Sequence, residues 1–249
     1  MCNSCGLPTY SVLIAPELVY TRDNPDDISQ ENNLVFTNAY DNQSSIFYGY
    51  ELYYKIYDPL DAANSETEYL TDETTIDNYS TADESSLENL GFERLYFDYS
   101  YISNSISHSE TKPSFALDDD ILEEDFNIVL NFNQDLSPGS TFLAESDGSV
   151  SFSSDMETYI YRHVENSDTG EYNNKFFFTD NFSIYDSDMP ESIDIDSYTS
   201  STNEDGGYYL YITFYILSFG KEQDDVSKLI YSKPVYLGTL KFNCQLTTE

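Results

Sequence analysis

Three cysteines are the residues of this chain with the most distinctive chemistry. Cys2 and Cys5 stand at the Cys-x-x-Cys spacing of zinc and redox sites, and Cys244 lies far from them in the sequence. A structural zinc site takes four Cys or His ligands, but the sequence has no second Cys-x-x-Cys pair and has only 2 His. In an oxidising compartment, Cys244 could instead pair with Cys2 or Cys5. The spacing therefore disfavours zinc and redox chemistry and leaves a disulfide as an alternative.

The residues around Cys5 indicate a lipid attachment site. Asn3-Ser4-Cys5-Gly6 has a small residue before the cysteine and glycine after it, as at the end of a bacterial lipoprotein signal. The apolar segment of such a signal does not precede it in the sequence, so either the start has been trimmed or misassigned, or the likeness is accidental. We expect the first explanation. It makes Cys5 the lipid-modified first residue of the mature protein, residues 1–9 an anchor segment, and the lipid the link to a membrane.

Two groups of aspartates are candidates for a calcium site. Their strongest candidate ligands are Asp118, Asp119, Asp120, Asp186 and Asp188, with Asp194 and Asp196 following the second group. Calcium binds about six to eight oxygen ligands, which closely spaced carboxylates supply. Neither group matches the Asp-x-Asp-x-Asp-Gly loop with its distant Glu, so solvated loops are the expected explanation of both groups. We therefore expect no cofactor, with calcium as the alternative.

Catalytic patterns are weak in this sequence. His108 stands in a Ser-rich stretch and His163 lies at the end of a predicted strand, and no Gly-x-Ser-x-Gly turn or Gly-rich phosphate loop is present. With 46 Asp and Glu residues, some pair of carboxylates will lie at the separation used by glycosidases. We predict a non-enzymatic protein, and a carboxylate-based glycosidase or esterase remains the enzymatic alternative.

The charge balance excludes several classes of partner. The chain has 10 Lys and Arg against 46 Asp and Glu, a formal net charge of −36. Nucleic acids and anionic lipid surfaces are bound through clusters of Lys and Arg, and the Arg residues here stand singly, at Arg22, Arg94 and Arg162. The sequence also has no apolar run of about 18 residues, the length that would cross a membrane as a helix. With 24 Tyr and 16 Phe the chain nevertheless has ample material for a folded core.

The segment from Phe47 to Tyr57 predicts the central strand of a β-sheet. It is almost wholly aromatic and aliphatic, whereas the rest of the chain is rich in Asp and Ser. Alternation places Tyr48, Tyr50, Leu52, Tyr54 and Ile56 on one continuously bulky face, which we expect to point into the core. Phe47, Gly49, Glu51, Tyr53, Lys55 and Tyr57 are expected on the other face.

The remaining elements are predicted to surround this strand in a single domain, residues 10–249. Tyr208 to Phe219 is the longest apolar run and its expected partner, and Lys228 to Phe242 predicts a final strand pair with a bulge or edge position at Pro234. Shorter strands are predicted at 10–19, 34–40, 94–102, 128–132, 149–152, 158–164, 175–178 and 182–185. A long acidic insertion is expected at about 58–170, with short helical turns around Glu66–Leu70 and Glu84–Leu90, the second capped by Asp83.

Three short segments give the chain a resemblance to a known group of proteins. They are Cys5-Gly6-Leu7-Pro8, Phe47-x-Gly49-Tyr50-Glu51-x-Tyr53-Tyr54-Lys55 and Ser232-Lys233-Pro234-x-x-Leu237-Gly238. With them the chain resembles spirochaete (Treponema-type) lipoproteins of uncharacterised function. The middle segment also resembles the third strand of fibronectin type III and immunoglobulin-like sandwiches.

The resemblance implies an all-β, elaborated fibronectin/immunoglobulin-like β-sandwich. It also implies a lipid-anchored, extracytoplasmic position on the cell envelope, at the outer surface or the periplasmic face. The partner would be a host or envelope macromolecule bound without catalysis, and exposed tyrosines keep a calcium-dependent adhesin or carbohydrate-binding module as an alternative.

Overall fold

Two β-sheets and one helix make up most of the described chain. The computed structural model describes residues 12–19, 25, 32–71, 87–96, 114–117, 122–132, 142–144, 149–153, 161–165, 172–176, 194–197, 208–222 and 228–244. In chain order the strands are β1 (Glu17–Leu18), β2 (Asn33–Thr37), β3 (Phe47–Tyr57), β4 (Glu93–Tyr96), β5 (Phe115–Ala116), β6 (Asn127–Asn131), β7 (Phe142–Ala144), β8 (Ser149–Ser153), β9 (Tyr161–Glu165), β10 (Tyr172–Phe176), β11 (Ile195–Asp196), β12 (Tyr208–Lys221), β13 (Leu229–Tyr231) and β14 (Val235–Cys244). Helix α1 spans Leu60–Thr71, and a 3₁₀ turn spans Glu88–Leu90.

The strands divide into a five-stranded and a nine-stranded sheet. The smaller sheet has the order β1-β2-β6-β8-β7. The larger has the order β10-β9-β4-β3-β12-β13, with β14 beside β12 and with β5 and β11 beside β3. Pairing is antiparallel except between β6 and β8 and between β11 and β3. The all-β class predicted from the sequence is confirmed.

One hydrophobic core lies between the two sheets. The Phe36 ring of β2 meets the Tyr50 ring of β3 edge to face at 5.2 Å, and Phe132 stacks on Phe214 of β12 at 5.0 Å. Other buried members include Leu34, Leu52, Tyr54, Ile56, Leu95, Ile128, Leu130, Leu210, Ile212, Ile216, Leu240 and Phe242. The range 58–170, predicted as an insertion, supplies the strands β4 to β9 to the two sheets.

The prediction that Phe47–Tyr57 forms the central strand is confirmed. The predicted orientation of its first side chains is wrong. Tyr48, predicted to point into the core, is 39% exposed, and Phe47 is fully buried in its place. The pairing with β12 changes register here, since Gly49 lies opposite Phe219 and Phe47 opposite Gly220. Tyr48 is therefore the extra residue of a β-bulge, which reverses the alternation before it.

The outer face of the larger sheet is covered by α1 and by the segment 87–92. Tyr53, Tyr215 and Leu217 of the sheet pack there with buried residues of the cover, namely Leu70, Leu87 and Phe92. Helix α1 is longer than the short turn predicted near Glu66–Leu70, and it begins directly after Pro59, whose fixed φ favours a helix start. The second predicted turn is confirmed in part as the 3₁₀ turn, and Asp83, its predicted cap, lies outside the described residues.

The C-terminal strands agree closely with the sequence. β12 pairs with β3 along ten positions from Tyr211–Tyr57 to Gly220–Phe47, as predicted for the longest apolar run. β13 and β14 both pair with the other edge of β12, and the register of β14 shifts between Phe214 and Tyr215. Strand β1 is shorter than predicted and follows Pro16, and the strand predicted at 182–185 lies outside the described residues.

Candidate functional site

Most of the site residues predicted from the sequence lie outside the described residues. These are Cys2, Cys5, His108, Asp118, Asp119, Asp120, Asp186 and Asp188. Of the others, the backbone of His163 lies in β9, paired with Asn174, and that of Cys244 ends β14, paired with Tyr208. The lipid and calcium hypotheses therefore stay predictions.

Two ion pairs that are largely shielded from solvent involve strand β3. Glu51, Lys55 and the hydroxyls of three tyrosines on this strand contact charged groups from other elements. Glu51 and Lys55 can be recognised from the sequence alone, because they interrupt an otherwise apolar strand on one face. Their partners are distant in sequence and were missed.

Glu51 is a buried carboxylate paired with a buried arginine. Its Oε1 lies 2.8 Å from Arg94 Nη1, and the two side chains are 1% and 5% exposed. The Tyr53 hydroxyl donates to Glu51 Oε2 at 2.8 Å and lies 3.5 Å from Glu88 Oε1. We call Glu51, Tyr53, Glu88 and Arg94 the Arg94 cluster.

The Arg94 cluster has the electrostatics of a structural contact. Burial raises the pKa of Glu51, and the Arg94 charge and the Tyr53 hydrogen bond oppose that rise. A carboxyl with a raised pKa is the feature that a glycosidase acid would need. Here the Glu51 side chain is 1% exposed and its carboxyl contacts the Arg94 and Tyr53 side chains.

The side-chain nitrogen of Lys55, on β3, contacts three other elements: helix α1, the 3₁₀ turn and strand β11. Its Nζ donates to Glu66 Oε2 of α1 at 2.8 Å and to the Leu90 carbonyl at 2.8 Å, and it lies 2.9 Å from Asp196 Oδ2 of β11. The Tyr57 hydroxyl donates to the same Glu66 oxygen at 2.6 Å. We call Lys55, Tyr57, Glu66, Leu90 and Asp196 the Lys55 junction.

The Lys55 junction is shielded from water more on one side than on the other. The Lys55 and Glu66 side chains are 13% and 20% exposed, whereas Asp196 is 41% exposed. The hydrogen bond from Lys55 is the main reason that the pKa of Asp196 is lowered. The carboxylate is therefore held in its charged form against the lysine.

A third cluster involves Tyr54, which points to the core side of β3. Its hydroxyl donates to Glu93 Oε2 at 2.5 Å. Arg162, whose side chain is fully buried, lies 3.7 Å from Asp194 Oδ2. Burial raises the pKa of Tyr54 well above its ordinary value, and the nearby Glu93 charge raises it further.

Two aspartates of the second predicted calcium group lie in the clusters described above. Asp194 and Asp196, at the end of the second group of aspartates, each lie beside a basic side chain. Within the described ranges, no group of three or more His, Cys, Asp or Glu side chains is arranged to hold a metal ion. No described helix has the length and apolar character needed to cross a membrane.

Comparisons with known proteins add no relative. No protein-family model, curated protein or solved structure matches the chain. Function must therefore be inferred from the residues and their contacts.

Proposed function

We propose that this chain is a non-enzymatic, extracytoplasmic lipoprotein whose β-sandwich binds or supports another macromolecule of the cell envelope or of a host. The observation that carries the non-enzymatic part is the arrangement around β3. Glu51, the carboxyl with a raised pKa that would suit an acid catalyst, is 1% exposed and paired with Arg94. A carboxyl enclosed in this way is poorly placed to give a proton to a bound substrate, which supports a non-enzymatic role.

The anchor is supported by the residues around Cys5. The small residue before this cysteine and the glycine after it fit a thioether-linked lipid on the first residue of a mature lipoprotein. A chain with a net charge of −36 is repelled by anionic headgroups, so attraction between charges would not hold it on such a membrane. A covalent lipid supplies the attachment that charge cannot.

The finer fold assignment belongs to the same proposal. We infer an elaborated sandwich related to the fibronectin and immunoglobulin-like architectures, supported by two sheets that face each other across one core. The parallel pairs β6–β8 and β11–β3 are additions to the antiparallel plan of those domains. Sandwiches of this kind commonly present loops to a macromolecular partner, although the architecture itself does not define one.

Matched cysteine variants test the anchor. The gene is expressed in its own host with radiolabelled fatty acid, and Cys5→Ser is compared with Cys2→Ser. We expect Cys2→Ser to keep the label and the membrane association and Cys5→Ser to lose both, because only Cys5 would carry the lipid. Label on neither the natural chain nor Cys2→Ser, with the protein in the soluble fraction, would overturn the proposal.

A further inference from the structure

We propose that one end of the β-sandwich is a membrane-seating surface, whose exposed side chains rest in the interfacial layer of a phospholipid bilayer. It is formed by the segments 12–16, 38–48 and 218–221, which we call the apolar end. The inference rests on the proposed lipid anchor at Cys5, and it adds which face of the protein the anchor brings against the membrane.

The apolar end is one connected surface. The Ile14 backbone N–H donates to Asn42 Oδ1 at 2.7 Å. The Ile14 carbonyl accepts hydrogen bonds from Asn42 Nδ2 at 3.0 Å and from Ser218 Oγ at 2.7 Å. The Lys221 N–H donates to the Ile46 carbonyl at 2.9 Å. These bonds join all three segments, so the backbone that carries the exposed side chains is held in place.

Exposed apolar side chains are concentrated at this end. Among the described residues six large ones are exposed, and four of them belong to the apolar end: Val12 (77%), Ile14 (50%), Tyr40 (39%) and Tyr48 (39%). The other two are Val19 and Tyr69. Leu13, between Val12 and Ile14, is 3% exposed and packs in the core, which fastens this segment to the sandwich. Grouped apolar side chains on a surface mark a site of contact with a partner or a membrane.

The apolar end is also neutral, unlike the molecule as a whole. Its three segments contain a single acid, Asp41, and a single base, Lys221, whereas the full chain has 46 Asp and Glu and 10 Lys and Arg. The Lys221 ammonium lies 5.5 Å from the centroid of the Tyr48 ring. Anionic headgroups repel an acidic surface. The net charge of −36 is therefore carried by the rest of the chain, and the apolar end can approach a bilayer without that repulsion.

The sequence distance to Cys5 brings the proposed anchor to this end. Val12 follows Cys5 by seven residues. An extended chain spans at most about 3.3–3.6 Å per residue, so these two residues lie within about 25 Å of each other. An acyl chain on Cys5 would be held in the bilayer. The anchor would therefore keep the apolar end beside the lipid headgroups, which selects a bilayer as the partner of this surface.

The side chains at the apolar end suit the interfacial layer of a bilayer. Tyrosine is enriched at this depth in membrane proteins, because its ring contacts the acyl boundary while its hydroxyl contacts headgroups and water. Tyr40 and Tyr48 would take this position, and Val12 and Ile14 would add aliphatic surface. The acidic remainder of the sandwich would then face away from the membrane, where a macromolecular partner can reach it.

Single-tryptophan reporters test the proposal, because the natural chain contains no Trp. Tyr48→Trp places the reporter in the apolar end. Tyr69→Trp, on α1 at a position that is 59% exposed, is the matched control. Each full-length chain carries a hexahistidine tag at its N-terminus and is bound to phosphatidylcholine vesicles that contain a small fraction of nickel-chelating lipid. The tag replaces the acyl chains, so the measurement does not depend on the modification of Cys5.

We expect the emission of Tyr48→Trp to shift to shorter wavelength on these vesicles and to be quenched when the phosphatidylcholine is brominated. Tyr69→Trp should show neither change. Adding Val12→Ser and Ile14→Ser to the Tyr48→Trp chain should abolish the quenching, since each aliphatic side chain moved from water to lipid favours seating by about tenfold. Both substituted positions are exposed, so circular dichroism should show an unchanged fold.

The outcomes separate the seating surface from the lipid anchor. Quenching of Tyr48→Trp alone, with its loss in the serine variant, would establish the seating surface. Folded, tethered chains in which neither reporter is quenched would overturn it, even with acyl chains found on Cys5 in the native host. A seated chain whose Cys5 is unmodified in that host would support the seating surface and overturn the anchor.

Sedimentation of the natural chain without vesicles tests the other occupant of the apolar end, a second copy of the chain. We expect a monomer. A dimer that Val12→Ser with Ile14→Ser dissociates would overturn the proposal and assign the surface to self-association.

Discussion

At the scale of single residues, the buried charges of β3 are balanced by side chains from other elements. Glu51 faces Arg94 of β4, and Lys55 faces Glu66 of α1. Removing one member of a buried pair leaves the other charged and without compensation, which costs more than the pair itself contributes. The effect of a substitution should therefore depend on the protonation of the residue left behind.

Arg94→Met tests this at the Arg94 cluster. We expect a loss of about 3–5 kcal/mol in the free energy of unfolding near neutral pH, because Glu51 is left buried without its cation. Burial already raises the pKa of Glu51, and loss of Arg94 raises it further. The folded variant then binds a proton more tightly than the unfolded chain does, so its stability rises as the pH falls toward the ordinary glutamate value.

Urea unfolding at mildly acidic and mildly alkaline pH measures this dependence. The double variant Glu51→Gln with Arg94→Met is the control, since it has no buried charge at this pair. It should be more stable than Arg94→Met alone at alkaline pH. Equal stability of the two variants at every pH would show that Glu51 has no cost of burial once Arg94 is removed, contrary to this expectation.

Buried tyrosines give the chain a second pH dependence. Burial raises the pKa of each of five hydroxyls, those of Tyr50, Tyr53, Tyr54, Tyr57 and Tyr215. The folded state keeps these protons to higher pH than the unfolded chain, so stability is full below the ordinary tyrosine pKa and is lost above it. The expected loss is about 1.4 kcal/mol per pH unit above about pH 10 for each such tyrosine.

Parallel ultraviolet absorbance and circular dichroism titrations check this expectation. The tyrosinate absorbance of the buried groups should appear together with the loss of the β-sheet signal. Complete ionisation of all the tyrosines while the sheet signal is unchanged would contradict the burial of these hydroxyls.

At the scale of elements, the long apolar strands could be predicted from the sequence, whereas the β-bulge in β3 and the length of helix α1 could not. β3 and β12 stand out because their apolar runs are long and bulky, so alternation and partnership follow from the sequence. The bulge at Tyr48 was missed because it depends on how β3 registers with β12, which alternation alone does not encode. Helix α1 was underestimated because its sequence is polar, and its deeply buried residues are Ala63 and Leu70.

Only the β3 members of the charged clusters could be predicted from the sequence. Glu51 and Lys55 are visible in the sequence as charges within an apolar strand, but a sequence does not show which distant residues meet them. Asp196 lies in an acidic run that also suits calcium, and Glu66 is one of many acidic residues in a polar stretch. Contacts between residues so far apart depend on the register of the sheet.

Gly220 tests the close approach of two elements. A Cβ at this position would lie 1.9 Å from the Ile46 carbonyl oxygen and 3.2 Å from Leu13 Cδ1, so backbone would have to move. We expect Gly220→Ala to lower the free energy of unfolding by about 3 kcal/mol or more. Thermal or urea unfolding measures the loss.

Gly91→Ala is the matched comparison. Gly91 has φ of 81° and ends the 3₁₀ turn, and an added Cβ would meet Lys55 at an ordinary distance of 3.6 Å. Its cost should be the strain of the left-handed conformation alone, about 1–2 kcal/mol. A Gly220→Ala chain as stable as Gly91→Ala would show that the approach of Ile46 is not tight.

At the scale of the whole molecule, net charge opposes folding. A formal charge of −36 on 249 residues repels itself most strongly in the compact state. Salt at about 0.15 M shortens the Debye length to about 8 Å and screens exposed charges, whereas buried ion pairs are screened much less. We therefore expect the melting temperature to rise when sodium chloride is added to a low-salt buffer, as scanning calorimetry would record. A melting temperature that falls with added salt would mean that surface ion pairs outweigh the repulsion.

The central claim, a lipid-anchored extracytoplasmic protein, also belongs to this scale. The most direct measurement is the intact mass of the protein recovered from the membrane fraction of its native host, because it tests the anchor and the compartment together. The proposal predicts a chain that starts at Cys5 and carries the added mass of acyl chains. An unmodified chain that starts at Met1 and is found in the soluble fraction would contradict it.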